Sequence, residues 1–356
     1  RRGRASAEPA ARPSPSRRTL VTREDRQTSR RASNVPPATS RPAADPRAAP
    51  RDLFLAPVDA GRRRAACELL VACLEESLRQ QQADALLEAL DRRRVPPEGL
   101  LGAWRGERLV GVVLAQLQAG KTAVVWMPGL TPDEPRSTAC ELLEAATDWL
   151  ERQGVCVAQV MLESVHDADR ALLESAGFSH LVDLLYLVCL LAAFPRTEPA
   201  SPLRYETYYP RNHDRFARVV EATYRQSLDC PALDRVRHVE DVLEGYQAAS
   251  DFDPELWRLA VYEGRDVGCL LLADHPEMGN CELVYMGAAP EFRGRGLGKE
   301  LVRRAINVAA QLNCRSIRVA VDAANAPALR LYTQAGFQTI GQRFTYYVPA
   351  ESLGDR

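Results

Sequence analysis

The chain has 356 residues, of which 46% are hydrophobic and 26% charged, and its formal net charge is −1. This composition is typical of globular proteins and excludes collagen-like, fully disordered and membrane-embedded chains. The length allows two domains that each bury a core, and no apolar run approaches the ~20 residues of a membrane span. The nine cysteines form no C-x-x-C pair and the five histidines lie at no metal-ligand spacing. We therefore predict free thiols in a cytoplasmic protein, without a metal and without disulfides.

The first 51 residues differ from the rest in composition, because they hold 13 arginines and four acidic residues among prolines, alanines and serines. Without apolar periodicity, such a segment cannot bury enough surface to offset its ordering entropy, so residues 1–51 are predicted to be a disordered basic tail. A nucleic-acid-binding arm and an Arg- and Ser-rich targeting peptide are the alternatives to a solvated extension without a role of its own.

The remaining sequence contains an internal repeat at an offset of 159 residues. At this offset Val124–Pro132 aligns with Leu283–Glu291, and the segment ESAGF aligns with TQAGF. We therefore predict two tandem domains of one fold, residues 52–197 and 198–356, joined near the proline-containing stretch Ala192–Pro202.

The apolar patterning of the second copy predicts an α/β fold, with a twisted mixed sheet flanked by helices. The predicted strands are Leu203–Tyr209, the two halves of Trp257–Asp274 joined at Gly264, Cys281–Ala288, Ser316–Asp322 and Arg343–Val348. The predicted helices are Asn212–Ser227, Val239–Ala249, Gly296–Leu312 and Ala326–Gln334.

A glycine-rich loop, FRGRGLGK, stands between one predicted strand and the helix that starts at Gly296. Strand, glycine turn and helix form an arrangement in which unpaired backbone N–H groups and the helix dipole hold a phosphate. The spacing fits neither the G-x-x-x-x-G-K-[ST] nucleotide loop nor the G-x-G-x-x-G dinucleotide loop. It does fit R-x-x-G-x-G, with Arg293, Gly296 and Gly298.

Together with the segment Asn325–Phe337, which reads N-x-x-A-x-x-L-Y-x-x-x-G-F, this loop resembles the GNAT acetyltransferase superfamily. Residues 280–348 resemble the mycothiol synthase family, whose members are tandem GNAT proteins. The resemblance implies acetyl-CoA as the acyl donor, an amine as the acceptor and N-acetyl transfer by direct attack. The implied acetyl-CoA contacts are Met286, Gly287, Ala288, Arg293, Gly294, Arg295, Gly296, Leu297, Gly298, Lys299 and Asn325, of which Asn325 could also cap a helix.

Two residues are predicted to move protons. Glu282 stands in an apolar strand, where a carboxylate needs a partner or a function. An ammonium acceptor must lose a proton before it can attack, so Glu282 is the candidate base, directly or through water; a solvent-facing strand residue is the alternative. Tyr332 would lie beside the sulfur of the donor, so it is the candidate acid for the departing thiolate; an aromatic core residue is the alternative.

The acceptor stays open, because the segment Thr223–Arg237 on the acceptor side of this fold does not match the mycothiol synthase family. Tyr224, Asp229 and Arg235 are the candidate acceptor contacts, although Asp229 could instead cap the turn that follows it.

At the offset of 159 residues, the first copy lacks the predicted catalytic residues of the second copy and most of its predicted acetyl-CoA-binding residues. Ala123 stands for Glu282, Glu134 for Arg293, Ser137 for Gly296, His166 for Asn325 and Leu173 for Tyr332. Carboxylates at Asp133 and Glu134 would repel a pyrophosphate, so the first copy is predicted to be a structural or regulatory domain. A catalytic His166 is the less favoured alternative.

The sequence thus favours an N-acetyltransferase, monomeric or homodimeric, that uses its second domain and has no membrane partner. A catalytically silent CoA-binding sensor or scaffold is the first alternative, and it is disfavoured because both Glu282 and Tyr332 are present. The other alternative is nucleic-acid binding through the basic tail, which would be salt-sensitive.

Overall fold

A computed structural model describes residues 52–191, 200–233 and 236–349, and all of them belong to one compact unit, Pro50–Arg356. The predicted tail at residues 1–51 and most of the predicted linker lie outside these residues. No helix in the described ranges is long and apolar enough to cross a membrane.

The first repeat contributes seven strands and four helices to the described structure. Its strands are β1 (Leu53–Pro57), β2 (Leu100–Arg105), β3 (Arg108–Gln118), β4 (Thr122–Val125), β5 (Gly129–Leu130), β6 (Val157–Leu162) and β7 (Ser179–Leu190). Its helices are α1 (Arg63–Leu70), α2 (Glu76–Asp91), α3 (Ser137–Arg152) and α4 (Asp167–Ser175).

The second repeat follows the same order of elements. Its strands are β8 (Arg204–Thr207), β9 (Trp257–Tyr262), β10 (Arg265–His275), β11 (Asn280–Ala288), β12 (Ser316–Asp322) and β13 (Gln338–Pro349). Its helices are α5 (His213–Tyr224), α6 (Val239–Gln247), α7 (Leu297–Gln311) and α8 (Ala326–Gln334). Both ends of α8 and β13 lie 159 residues after the ends of α4 and β7, so the predicted tandem α/β architecture is confirmed.

All described strands join one sheet in which the last strands of the two repeats are exchanged. The order is β1-β2-β3-β4-β6-β13-β7-β12-β11-β10-β9-β8, and β5 pairs with β3. Strand β13 pairs with β6 of the first repeat, β7 pairs with β12 of the second, and β13 and β7 pair with each other. The two repeats therefore share the centre of the sheet.

Each hydrophobic core also contains side chains from the opposite repeat. Tyr346 and Val348 of β13 are buried among residues of the first repeat, such as Leu142 and Phe178. Leu187 and Cys189 of β7 are buried in the core under α7. Neither repeat therefore fills its core from its own residues alone.

Burial of alternate faces explains why the predicted elements form. In α5, Phe216, Val219 and Val220 recur at helical spacing and are buried against β10, while the charged residues face out. In α8, the Asn325 side chain accepts a hydrogen bond from the Ala328 N–H at 3.2 Å, which fixes the start of the helix.

Candidate functional site

A cleft of about 530 Å³ opens in the second repeat where β11 and β12 part. The parallel pairing of these strands is limited to the segment from Asn280 to Glu282, which faces Ser316 to Arg318. Opposite β10, Leu271 faces Tyr285 and Leu272 faces Leu283, so Val284 is an extra residue in β11. Such a bulge bends and twists a strand, which accounts for the divergence of β11 from β12.

The cleft collects residues from both parting strands and from α5, α8 and the glycine-rich loop. Its predicted site residues are Asp229, Met286, Gly287, Ala288, Arg293, Gly294, Asn325 and Tyr332. These eight predicted residues are far apart in the chain, and the structure places all of them around one cavity.

The glycine-rich loop enters α7 through two residues with left-handed backbones. Gly294 has φ +74° and Gly296 has φ +79°, and such values disfavour any side chain with a Cβ. Gly298 lies within α7, where an added Cβ would stand 3.2 Å from Leu331 of α8. No side chain caps the start of α7, so its first backbone N–H groups can receive an anion.

The Arg293 guanidinium is bound by backbone carbonyl groups. It donates to the Ala288 carbonyl at 2.9 Å and, across the cleft, to those of Gln226 at 2.7 Å, Thr223 at 2.8 Å and Arg225 at 3.0 Å. The last three bonds hold the glycine-rich loop to the end of α5. A contact of this side chain with a pyrophosphate stays a prediction.

The side chains of the other predicted loop contacts point to different surroundings. The Leu297 side chain is buried in the core of the second repeat, and the Arg295 guanidinium lies over the ring of Phe292, 5.4 Å from its centroid. Lys299 is exposed on the first turn of α7. Neither these residues nor Gly296 and Gly298 line the cleft itself.

Tyr332 lines the cleft from α8, and its ring packs 5.3 Å from that of Phe337. Its side chain is almost fully buried. Burial, together with the nearby charge of Asp229, raises the pKa of the Tyr332 phenol well above its ordinary value. The phenol is therefore protonated at neutral pH and can donate a proton.

Glu282 lies next to the cleft and does not line it. It directly precedes Leu283, the first residue of β11 in the cleft wall. In the pairing of β10 with β11, Glu282 faces Ala273 and Tyr285 faces Leu271. Ala273 and Leu271 are two residues apart in β10 and so lie on the same face of the sheet. Glu282 and Tyr285 therefore share this face, on which α5 packs. The Glu282 carboxylate is hydrogen-bonded to Nε2 of His275 at 3.1 Å, and its side chain is 43% exposed.

The segment after α5 closes the other side of the cleft. The Asp229 carboxylate accepts a bond from the Asp322 N–H at 3.2 Å, and the Asp322 carboxylate accepts from the Cys230 N–H at 3.2 Å. Burial raises the pKa of the Asp229 carboxyl, and the bond from the Asp322 N–H opposes this effect. Asp322, at the end of β12, has no motif around it that could have predicted this role.

Tyr224 lies in a second cavity that adjoins the cleft. Its hydroxyl is hydrogen-bonded to that of Tyr246, and its ring stacks on Tyr285 with centroids 5.3 Å apart. Burial raises the pKa of Tyr224 to about 12. Arg235, the third predicted acceptor contact, lies outside the described residues.

In the first repeat, a carboxylate of the protein itself lies near the helix start that corresponds to the start of α7. Glu134 accepts bonds from Arg105 Nη2 at 2.8 Å and from the Thr138 hydroxyl at 2.6 Å, next to the start of α3. The bond from Arg105 lowers the pKa of Glu134, so this carboxylate is ionised at neutral pH. Its negative charge would repel an anionic ligand at this helix start.

Within the described ranges, no group of three or more His, Cys, Asp or Glu residues could hold a metal ion. The fold and the cleft define an α/β protein in which two parallel strands part beside a glycine-rich, uncapped helix start.

Comparison with known proteins finds a family match within the second repeat. Residues 221–337 match the model of the acetyltransferase (GNAT) family. The N-alpha-acetyltransferase MAK3 of Arabidopsis thaliana is 30% identical over 97 residues, which are 27% of this chain and 51% of that protein. A mycothiol acetyltransferase of Pseudarthrobacter chlorophenolicus is 25% identical over 240 residues, which are 65% of this chain and 72% of that protein.

A solved structure supports the fold. The GCN5-related N-acetyltransferase of Sphaerobacter thermophilus superposes with a TM-score of 0.57 and 18% identity, over 84% of this chain and 96% of that chain. The chain spans about half the length of the plant relative. The predicted relation is confirmed: the second repeat is a GNAT acetyltransferase domain, similar in sequence to the mycothiol acetyltransferases.

Proposed function

We propose that the protein is an acetyl-CoA-dependent N-acetyltransferase whose second repeat transfers the acetyl group to a primary amine of a small molecule or peptide. The observation that carries the proposal is the cleft itself. It runs from Arg293 and Gly294 of the glycine-rich loop, which lead into the uncapped start of α7 where a pyrophosphate would be held, to the buried phenol of Tyr332. The glycine backbones at Gly294 and Gly296 leave room for phosphate groups at that end.

The side chains of the cleft support transfer by direct attack. The amine nitrogen would form a bond to the acetyl carbonyl carbon while the bond from this carbon to sulfur breaks. Tyr332 would give its proton to the departing sulfur. Glu282 would accept the proton of the amine through an intervening water, since its carboxylate lies outside the cleft wall, and His275 would pass that proton on to solvent.

The glycine-rich loop provides the first test. We expect Gly296→Glu to abolish measurable acetyl-CoA binding in calorimetry, because the new carboxylate would repel the phosphates at the start of α7. Gly296→Ala is the matched control: it adds only the strain of a left-handed backbone, of the order of 1 kcal/mol, and should weaken binding several-fold. Ser137→Glu, at the corresponding position of the first repeat, should have no effect.

Acetyl-CoA affinity unchanged by Gly296→Glu would remove the loop from the proposed site. A second acetyl-CoA bound per chain would contradict the assignment of the first repeat as a non-binding domain. The transfer itself is tested by a mass-spectrometric screen of amines and peptides with acetyl-CoA. A protein that binds acetyl-CoA but acetylates none of them would be a CoA-binding sensor or scaffold.

A further inference from the structure

A second cavity, of about 720 Å³, lies between α5, α6 and the segment that joins them. It shares Gln226, Ser227 and Asp229 with the acetyl-donor cleft. This cavity, which we name the acceptor cavity, is therefore adjacent to the cleft at Asp229. Its volume is sufficient for a molecule much larger than a simple alkyl amine.

Arg237 lines the acceptor cavity, is half-buried, and forms no ion pair with any residue that the structure describes. Ala222, Leu233 and Val242 supply apolar surface, and Arg237 supplies a guanidinium next to the hydrogen-bonded Tyr224 and Tyr246. The guanidinium Nη1 is 3.9 Å from where a Cβ on Gly245 would stand. Within the described ranges, no carboxylate forms an ion pair with Arg237.

The other arginines that line the two cavities are each paired with a carboxylate, bound by carbonyl groups or exposed to solvent. Arg225 is paired with Glu291 at 2.8 Å, and Arg293 is bound by four carbonyl groups. Arg218 is exposed at the rim of the cavity. A guanidinium that is partly removed from water binds carboxylate and phosphate groups through charge-assisted hydrogen bonds, often two at a time.

The opposite charge stands where the acceptor cavity meets the cleft. Asp229 is held there by its bond from the Asp322 N–H, and its charge acts on the Tyr332 phenol. A carboxylate at this point suits an ammonium group, which would then lie beside the acetyl donor. The acceptor cavity thus has a carboxylate for an amine at Asp229 and a guanidinium for an anion at Arg237.

On this basis, and resting on the proposed N-acetyltransferase function, we propose that the acceptor is an amine that also carries an anionic group. Arg237 binds the carboxylate or phosphate of the acceptor, while its amine lies at Asp229. The apolar lining of the cavity contacts the body of the molecule.

The test compares amines that differ only in the anionic group. Phenylalanine is paired with phenylalaninamide and glucosamine 6-phosphate with glucosamine, and kcat/KM is measured from thiol release. We expect the anionic member of at least one pair to be preferred by about 10- to 100-fold, the range of charge-assisted hydrogen bonds. Which pair shows the preference distinguishes a carboxylate from a phosphate.

Variants at Arg237 test whether this residue causes the preference for the anionic amine. Arg237→Gln should abolish the preference, because kcat/KM of the anionic amine should fall far more than that of its neutral counterpart, whereas Arg237→Lys should retain part of the preference because the charge remains. Arg204→Gln, at an exposed position of β8, is the control and should change nothing. An equal loss on anionic and neutral amines in Arg237→Gln, or a preference for the neutral amines in the wild type, would overturn the inference and leave the acetyltransferase function standing. Bound acetyl-CoA without acetylation of any amine in a mixed library would instead contradict both.

Discussion

Two residues in and beside the cleft have opposite proposed proton roles, and their environments differ accordingly. Tyr332 is almost fully buried, and its raised pKa keeps the phenol protonated beyond the ordinary value of about 10, so its acid function should persist into alkaline solution. Glu282 is hydrogen-bonded to His275 and open to solvent, which suits a group that passes protons outward.

Substitution of these residues should therefore give pH profiles of different shape. Glu282→Gln removes the base, so the rate with a protonated amine should fall by about 10²- to 10⁴-fold and recover partly as the pH approaches the pKa of the amine. Tyr332→Phe should slow departure of the thiolate at every pH, with little loss of acetyl-CoA affinity. The measurement is kcat against pH with a fixed acceptor. Wild-type turnover in both variants would exclude both residues from catalysis.

At the scale of the elements, the segment that follows α5 is hydrogen-bonded to the donor site at two points. Arg293 binds the carbonyl groups of residues 223, 225 and 226, and Asp322 at the end of β12 binds the N–H of Cys230. The same segment separates the donor cleft from the acceptor cavity. The positions of the two ligands should therefore be coupled through Arg293.

We expect Arg293→Lys to raise KM for both acetyl-CoA and the amine by about 10-fold, because an ammonium group cannot replace all four bonds and the segment shifts. Arg295→Lys is the matched control, since its guanidinium lies over Phe292 at the outside of the loop. Steady-state kinetics with each substrate varied in turn measures both constants. A rise in KM for acetyl-CoA alone would show that Arg293 contacts the phosphates and does not position the acceptor segment.

Most elements of the second repeat could be predicted from the sequence with small errors at their ends. The larger errors are at β13, which begins at Gln338, five residues before the predicted start, and at α5, which ends at Tyr224, three residues before the predicted end. Strand β12 and helix α8 have the predicted bounds, because Asp322 and Asn325 mark the end and the cap of these elements. Strand β11 begins at Asn280, one residue before the prediction. Periodicity and capping residues are local signals, and they determine local structure well.

The site could be predicted only where a motif identified it. Motif residues such as Tyr332 and Met286 do line the cleft. The roles of Arg237, Asp322 and His275 depend on contacts between segments that are distant in the sequence. The residues next to them in the sequence do not indicate these contacts. The sequence also could not show that the Arg293 side chain binds carbonyl groups, since the motif records a residue type and not the partner of its side chain.

At the scale of the whole molecule, the first repeat has a structural relation to the proposed acceptor site. Its turn between β3 and β4 contacts α6: Lys121 Nζ is 3.1 Å from the Asp241 carboxylate, and a Cβ on Gly120 would stand 2.0 Å from the Asp241 carbonyl oxygen. Helix α6 carries Val242 and Tyr246 of the acceptor cavity. The first repeat therefore supports a wall of the acceptor cavity.

The exchange of β7 and β13 was not predicted from the sequence, because the residues of a strand do not show whether it pairs within its own repeat or with the other repeat. It has a direct consequence for the two halves of the chain. Residues 52–197 lack Tyr346 and Val348, which are buried in the first core, and residues 198–356 lack Leu187 and Cys189, which are buried in the second. Losing several buried side chains of this size costs several kcal/mol of folding free energy in each half.

We therefore expect the two halves, expressed together as separate chains, to form a one-to-one complex with the acetyl-CoA affinity of the intact protein, while each half alone aggregates or unfolds. Light scattering after gel filtration and calorimetry measure the two properties. Val348→Ala in the intact chain should lower the free energy of unfolding by roughly 1–3 kcal/mol. Ile340→Ala, at a position of the same strand that is 59% exposed, should change it little. A stable monomer of residues 198–356 that binds acetyl-CoA would contradict the exchange, since β13 would then have to pair with β12 of its own repeat.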